Sequence, residues 1–401
     1  MVSLEEALIR INERLAVLPA ERSPLPAALG RVLAAELRAE DAFPPFARSR
    51  RDGYAFRAAD AAAADGRPVK FRVTETATAG RPVMTPVTVG TAVRILTGAP
   101  VPAGADCVAA DEAVERRGDT VFLSGPAPIG QYIEPAGREY RPGDVLLPAG
   151  TILSPGALGL AAAAGFSAVP VVRRPVVAIL ATGDELVKAD GMMRDGQIRD
   201  SNSILAAALV VRWGGRPLVS VPSPDDPAVI AERLQASLAA ADMAVTTGGT
   251  GEGDRDCLPA ALIRLGAKIL FRRLAIRPGT GTLAAILGGK MICALSGSPG
   301  AIAVAAELLV RPVLDRFTGR LQTERLMIPA RLEESWRIAS DLPHYRPVRL
   351  RPVGGEYKAA QGRTGLIGLA RMNGLAVAAD GPCTYAAGET VRVMLTREVD
   401  G

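Results

Sequence analysis

Apolar and polar residues alternate in three different ways along this chain, and each pattern predicts a different kind of structure. From Leu4 to Leu15 apolar residues recur at helical spacing, directly after Ser3, which predicts an amphipathic helix with a capping box. A second helix is predicted over residues 26–37. From about residue 54 to residue 131, short alternating runs are separated by Gly and Pro turns, which predicts a β-rich module.

Beyond Pro175 the pattern changes to apolar strands that alternate with helices, and this alternation is typical of a parallel sheet. The predicted strands cover residues 176–180, 217–221, 243–246, 269–274 and 291–295. From Arg325 to Glu398 short alternating strands return. We therefore predict a multidomain α/β plus β protein, with a central α/β domain on a mostly parallel sheet, an inserted β-rich module and a small C-terminal β domain.

The loops that follow the central strands carry the candidate chemistry. Loops at Thr182, Asp225, Thr247 and Ser296 all leave carboxyl ends of strands, so they lie on one edge of a parallel sheet. They combine glycine turns with acidic residues, namely Asp184, Glu185, Asp225, Asp226, Glu252, Asp254 and Asp256. Free backbone N–H groups beside carboxylates suit a phosphorylated ligand with a divalent cation such as Mg²⁺. For a single loop, the alternative is a plain turn with a helix cap.

The composition argues against several classes of function. The 401 residues predict two to four domains. A net charge of +5 without a lysine-rich tract argues against nucleic-acid binding. Four separated cysteines and the single His344 argue against zinc sites, disulfides and a histidine-based triad. Without a signal peptide or an uninterrupted apolar span, we expect a cytoplasmic protein that does not insert into membranes.

Six motifs follow one another in an order that resembles a known family. They read P-P-F-x-x-S-x-x-D-G-Y-A at 44–55, R-I-L-T-G-A-P-V-P-x-G-A-D at 94–106, G-D-V-L-L-P-A-G-T at 143–151, A-T-G-D-E-L at 181–186, Q-I-R-D-S-N-S at 197–203 and P-D-D at 224–226. Together they cover essentially the whole chain and resemble the molybdopterin molybdenumtransferase family, which completes molybdenum cofactor and includes the related domain of gephyrin.

The resemblance implies an elongated homodimer with four domains. A split N-terminal linker and dimerisation domain would comprise residues 1–48 and 137–174, and an inserted β-rich module residues 49–136. An α/β molybdopterin-binding domain would follow at 175–320 and a C-terminal β domain at 321–401.

The resemblance also implies a reaction, the Mg²⁺-dependent insertion of molybdate into adenylylated molybdopterin with release of AMP. It places catalytic groups at Asp52, Thr97, Glu185, Asp225 and Asp256, of which Glu185, Asp225 and Asp256 would hold the metal. The implied substrate-binding residues are Thr182, Gly183, Asp184, Ser201, Gly248, Gly249, Thr250, Gly251, Arg277, Ser296, Gly297, Ser298 and Pro299. Asp52 and Thr97 come from the N-terminal half, which suggests a site completed across the dimer. A molybdopterin adenylyltransferase and recipient molybdoenzymes would be its partners.

Four loops depart from the family pattern. Residues 48–51 replace an acidic residue by arginines, and Arg277 to Gly281, R-P-G-T-G, lacks the usual lysines. The segments T-T-G-G-T-G and G-S-P-G-A look like the neighbouring molybdopterin adenylyltransferase family. Two alternatives therefore stay open: a paralogue with adenylyltransferase-like chemistry, and a non-catalytic molybdopterin-binding carrier or scaffold.

Overall fold

A computed structural model describes residues 1–61, 67–251, 257–320, 325–362, 365–378 and 381–397. These residues form two compact units. The first comprises Met1–Arg22, Gly30–Ala34 and Pro170–Gly401, and the second comprises Ser23–Leu29 and Ala35–Val169. Within the described ranges, no helix has the length and hydrophobicity needed to cross a membrane. The division into four domains stays a prediction.

The second unit is built on a six-stranded sheet, whose strands in spatial order are Cys107–Ala110, Gly53–Phe56, Thr91–Ile95, Val69–Ala77, Thr120–Leu123 and Val114–Arg117. Its alternating apolar positions form the core, in which the rings of Phe56 and Phe71 stack 4.7 Å apart. Short strands pair outside this sheet, Arg48–Ser49 with Ile133–Glu134 and Leu37–Arg38 with Val145–Leu147. The helices are Ala58–Ala61 and Pro155–Ala163, with single 3₁₀ turns at Leu25–Ala27 and Asp111–Ala113.

The first unit contains the sheet that positions the candidate site. Its strands, in spatial order, are Arg216–Val219, Val176–Ala181, Met243–Thr247, Lys290–Leu295, Leu283–Leu287 and Lys268–Phe271. The first three neighbouring pairs are parallel and the last two are antiparallel, so the sheet is mixed. The four mutually parallel strands end at the same edge.

The antiparallel part arises from a hairpin that the strand pattern did not predict. Leu283–Leu287 turns directly into Lys290–Leu295 through Gly288 and Gly289. Both glycines have positive φ, 56° and 81°, as a two-residue hairpin turn requires. The Gly-Gly pair between two apolar runs was the sequence signal for this strand.

Helices cover both faces of the central sheet because successive strand residues point to opposite sides. Val245 packs with Val210 on one face, whereas Ala244 packs with Leu234 and Leu258 on the other. The helices of this unit are Leu4–Asn12, Asn202–Arg212, Pro227–Ala239, Leu258–Arg264, Pro299–Ala305, Arg311–Thr318 and Leu366–Arg371, with a π-helical turn at Ala306–Val310.

The prediction of a helix over residues 26–37 is wrong. Only a 3₁₀ turn forms, at Leu25–Ala27, and Gly30 then takes a positive φ of 71°. The following residues run extended beside residues 170–172, with the Ala34 N–H donating to the Pro170 carbonyl at 3.1 Å. Pairing with a segment that is distant in sequence therefore overrides the local helical spacing.

The C-terminal part of the first unit is a small closed barrel, whose strands are Met327–Leu332, Glu356–Gln361, His344–Val353, Gly374–Ala378 and Thr390–Leu395. Closure pairs every edge and buries Val348, Leu350 and Val393 inside. Two short strand pairs complete the unit, Trp336–Ile338 with Cys383–Tyr385 and Leu186–Val187 with Ile198–Arg199. The short strands Ala20–Pro24 and Ala168–Val172 lie where the chain passes between the units.

Candidate functional site

A cleft of about 420 Å³ lies where the four parallel strands of the first unit end. Four loops form its wall, those that follow Val176–Ala181, Arg216–Val219, Met243–Thr247 and Lys290–Leu295. Its described lining residues are Thr182, Gly183, Glu185, Leu186, Ile198, Asn202, Asp225, Thr247, Gly248, Gly249, Thr250, Gly251, Gly281, Ser296 and Gly297. The carboxyl edge of a parallel sheet is where ligands bind in folds of this class.

Glycines in this cleft are required by close contacts. Gly248 has φ 88°, and a Cβ there would lie 2.6 Å from the Thr182 carbonyl oxygen. At Gly249, with φ 64°, a Cβ would lie 2.9 Å from the Thr182 hydroxyl. At Gly183 a Cβ would lie 2.6 Å from the carboxylate of Glu185, a flexible side chain that can move aside, so this contact is less restrictive. Larger residues at Gly248 and Gly249 would push these loops apart, so T-G-D-E at 182–185 and T-G-G at 247–249 form one tightly packed wall.

Two of the predicted carboxylates, Glu185 and Asp225, line the cleft. Asp184 instead supports Asp225, whose backbone N–H donates to the Asp184 Oδ1 at 3.1 Å. Asp226 caps the helix Pro227–Ala239 by accepting two backbone N–H bonds, the shorter from Ala228 at 2.7 Å. Glu252, Asp254 and Asp256 lie outside the described residues.

The donor set of this cleft fits a magnesium ion that binds together with a phosphorylated substrate. Mg²⁺ is usually held by one or two carboxylates, with phosphate oxygens and water completing its shell. Glu185 and Asp225 supply two carboxylates to the same cleft. Among the described residues no three His, Cys, Asp or Glu side chains cluster closely enough to hold an ion by themselves.

Five residues with a predicted binding role are not among the described residues of the cleft wall. These are Asp184, Ser201, Arg277, Ser298 and Pro299. Ser298 caps the helix Pro299–Ala305, and Ser201 directly precedes Asn202–Arg212. The Arg277 backbone bonds to Pro343 and Tyr345, at the start of the barrel strand His344–Val353. A role for these residues in binding stays a prediction.

The cleft also contains residues to which the sequence analysis assigned no binding role, namely Leu186, Ile198, Asn202, Thr247 and Gly281. A Cβ at Gly281 would lie 3.0 Å from the Ser296 hydroxyl, so this glycine allows the loop to approach the strand end. Its signal in the sequence was the repeated glycine of R-P-G-T-G-T. The amide of Asn202 donates to the Gly297 carbonyl at 2.8 Å and joins two loops that are far apart in sequence.

The second unit brings together the predicted pair Asp52 and Thr97. Both the backbone N–H and the hydroxyl of Thr97 donate to the Asp52 Oδ1, at 2.7 and 2.6 Å. These hydrogen bonds, aided by the positive charge of Arg94, lower the pKa of Asp52 below its ordinary value. Asp52 is therefore an ionised carboxylate held in a fixed orientation.

Comparison with known proteins agrees with this architecture. Residues 2–165 match the family described as MoeA N-terminal region (domain I and II), and residues 178–316 match a probable molybdopterin binding domain. A molybdopterin molybdenumtransferase from Staphylococcus aureus (strain COL) is 32% identical, over 98% of this chain and 96% of that protein. One from Bacillus subtilis (strain 168) is 34% identical, over 93% of this chain and 89% of that protein.

The chain belongs to the molybdopterin molybdenumtransferase family. It is thus a member of an enzyme family of molybdenum cofactor biosynthesis. Its fold agrees with that assignment, because the crystal structure of the molybdopterin biosynthesis MoeA protein from Pyrococcus horikoshii superposes with a TM-score of 0.87. That match has 28% sequence identity and covers 99% of this chain and 100% of the other.

One departure from the molybdenumtransferase pattern, the arginines of residues 48–51, has a local structural explanation. Arg48 forms an ion pair with Glu134, 2.5 Å from Nε to Oε2, and lies over the ring of Phe43. The guanidinium of Arg51 lies 5.8 Å from the centre of the Tyr132 ring. Arg48 therefore already has an anionic partner in its own unit, and Glu134 has a lowered pKa through that hydrogen bond.

Proposed function

We propose that this chain inserts molybdate into adenylylated molybdopterin, with Mg²⁺ as cofactor and with release of AMP. The observation that carries this proposal is the cleft in which glycine turns and two carboxylates, Glu185 and Asp225, meet at one sheet edge. Glycine turns let phosphate groups approach the backbone closely, and the carboxylates provide ligands for a cation bound to those phosphates. The names of the relatives support molybdopterin as the substrate.

In this proposal the protein acts by positioning and by electrostatics. Glu185 and Asp225 would hold the Mg²⁺, which supplies positive charge against the phosphates and the oxyanion. The packed loops of Gly183, Gly248 and Gly249 would hold the substrate rigidly, so that its sulfur atoms meet molybdate in reacting geometry. The buried thiol of Cys293 is no candidate nucleophile, because burial raises its pKa to about 12.

We further propose that the protein works as a cytoplasmic homodimer, and that Asp52 and Thr97 take part in the same reaction. The ionised carboxylate of Asp52, which Thr97 holds in a fixed orientation, is a suitable partner for a cationic or hydrogen-bonding group. A molybdopterin adenylyltransferase would supply the substrate, and molybdoenzymes would receive the product.

The second candidate function is adenylyltransferase-like chemistry, which is favoured by the segments T-T-G-G-T-G and G-S-P-G-A. In the proposed function AMP is released from adenylylated molybdopterin. In the second candidate function ATP supplies the AMP that is attached to molybdopterin. We expect that incubation with molybdopterin, ATP and Mg²⁺ yields no adenylylated molybdopterin, as measured by chromatography of the pterin. A known adenylyltransferase serves as the positive control. ATP-dependent formation of the adenylylated product by this chain would contradict the proposal and favour the alternative.

A further inference from the structure

Polar atoms without partners lie at the floor of the cleft. The side-chain oxygens of Thr182, Asn202 and Thr247 are enclosed, yet they have no hydrogen-bond partner among the residues that the structure describes. Thr182 is 4% exposed and Thr247 only 1%. Buried polar atoms are nearly always hydrogen-bonded in folded proteins. All three residues line the cleft, so a ligand there is in a position to supply the partners.

Two of these residues, Thr247 and Asn202, belong to the same side of the sheet. Val245 belongs to the same buried core cluster as Val210 of the helix Asn202–Arg212. Two residues further along the strand, Thr247 points to the same face, toward the beginning of that helix. Asn202 is the first residue of the helix, and both residues line the cleft.

The orientation of the Asn202 amide is fixed by its neighbour. Its Nδ2 donates to the Gly297 carbonyl at 2.8 Å, which leaves Oδ1 as the atom without a partner. A carbonyl oxygen only accepts hydrogen bonds, so it attracts an N–H group and repels a phosphate oxygen. The Thr247 hydroxyl both donates and accepts. This part of the cleft therefore suits a neutral ligand edge that has donors and acceptors side by side.

The neighbouring wall suits a flat ring. Leu186 and Ile198 pair on adjacent parallel strands, and both line the cleft. Ile198 is 55% exposed, which leaves an apolar surface beside the polar atoms. An apolar wall with a few placed polar groups is typical of a site for a heterocycle.

We propose that Thr247 and Asn202 form a subsite that binds the polar edge of a heterocycle, and that this heterocycle is the pterin ring of molybdopterin. A pterin carries an amide-like N–H, a carbonyl oxygen and an amino group along one edge, which matches an acceptor next to a hydroxyl. The phosphates would then lie toward the glycine turns. This inference rests on the proposed function, because it assigns one part of the same substrate to one part of the same cleft.

The substitution Thr247→Val tests the subsite, since it removes the hydroxyl and keeps the shape of the side chain. We expect it to weaken molybdopterin binding about tenfold, the effect of losing one well-placed hydrogen bond of about 1.4 kcal/mol. Thr246→Val is the matched control. Thr246 is also buried with an unpartnered hydroxyl, but it points to the opposite face and is not among the described cleft residues. The affinity of Thr246→Val for molybdopterin should stay within about twofold of that of the unsubstituted protein.

The measurement is an anaerobic titration of the unsubstituted protein and both variants, first with molybdopterin and then with AMP. Weaker molybdopterin binding by Thr247→Val alone, with unchanged AMP binding, supports the pterin subsite. Unchanged molybdopterin binding overturns it. Weaker AMP binding alone would place adenine there instead and also overturns it. If the unsubstituted protein binds neither ligand, the proposed function itself fails. Asn202→Leu gives an independent second test, with the same expected direction.

Discussion

Replacing Glu185 by Gln is expected to lower the rate of AMP release from adenylylated molybdopterin by about 100-fold or more, as is typical when a preorganised charge is removed from a reacting site. Glu185 lines the cleft and its carboxylate lies over Gly183. Glutamine keeps the size and loses the negative charge, so the variant would hold Mg²⁺ poorly. Asp225→Asn should act in the same direction. The rate is measured by chromatography of AMP, with Mg²⁺ and molybdate at concentrations that just saturate the unsubstituted protein.

The matched control is Asp226→Asn, which removes a charge from the residue next to Asp225. Asp226 faces the helix Pro227–Ala239 and caps it, and asparagine caps a helix equally well. We expect Asp226→Asn to keep nearly full activity and stability. If Glu185→Gln and Asp225→Asn were as active as this control, the acidic cleft would have no part in the reaction.

Replacing Gly53 by Ala is expected to lower the free energy of unfolding of the second unit by about 3 kcal/mol or more, the range of severe backbone and packing disruptions. A Cβ at Gly53 would lie 1.9 Å from the Ala109 carbonyl oxygen and 3.0 Å from the Ala110 Cα. Both contacts are with the backbone of the paired strand, so only separation of the strands relieves them. Chemical denaturation followed by circular dichroism measures the loss.

This substitution should also affect activity, because Asp52 precedes Gly53 directly. The Asp52 carbonyl accepts the Asp111 N–H at 3.1 Å, and its carboxylate accepts both bonds from Thr97.

Gly159→Ala is the control within the same unit. Gly159 lies in the helix Pro155–Ala163 with nothing within 4 Å of a Cβ, so alanine should stabilise by about 0.5–1 kcal/mol. Equal stability of Gly53→Ala and the unsubstituted protein would contradict the described sheet.

Much of the fold can be predicted from the sequence where local signals are strong. The apolar β-branched run at Met243–Thr247 and the capped helix after Ser3 have the expected structure. The helix expected over residues 26–37 does not form, because those residues bond to residues 170–172. The strand Leu283–Leu287 was not predicted, because it directly follows a glycine-rich loop, although Gly288 and Gly289 indicate its turn.

The site was harder to predict in detail, because its chemistry depends on which way neighbouring side chains point. Asp225 and Asp226 are equivalent in the sequence, yet one lines the cleft and the other caps a helix. The contact of Asn202 with Gly297 joins residues 95 positions apart, so no local pattern indicates it. The family motifs located the loops, and only the fold separates residues that face the cleft from those that support it.

Metal insertion by the cleft can be tested by following both products of the reaction. The purified protein is incubated with adenylylated molybdopterin and Mg²⁺, with and without molybdate, and both AMP and pterin-bound molybdenum are followed over time. We predict that AMP is released when molybdate is present, in step with the formation of the molybdenum-containing cofactor, and that omission of Mg²⁺ abolishes both. Tight binding of the pterin substrate without turnover would contradict metal insertion by this cleft and identify the protein as a carrier.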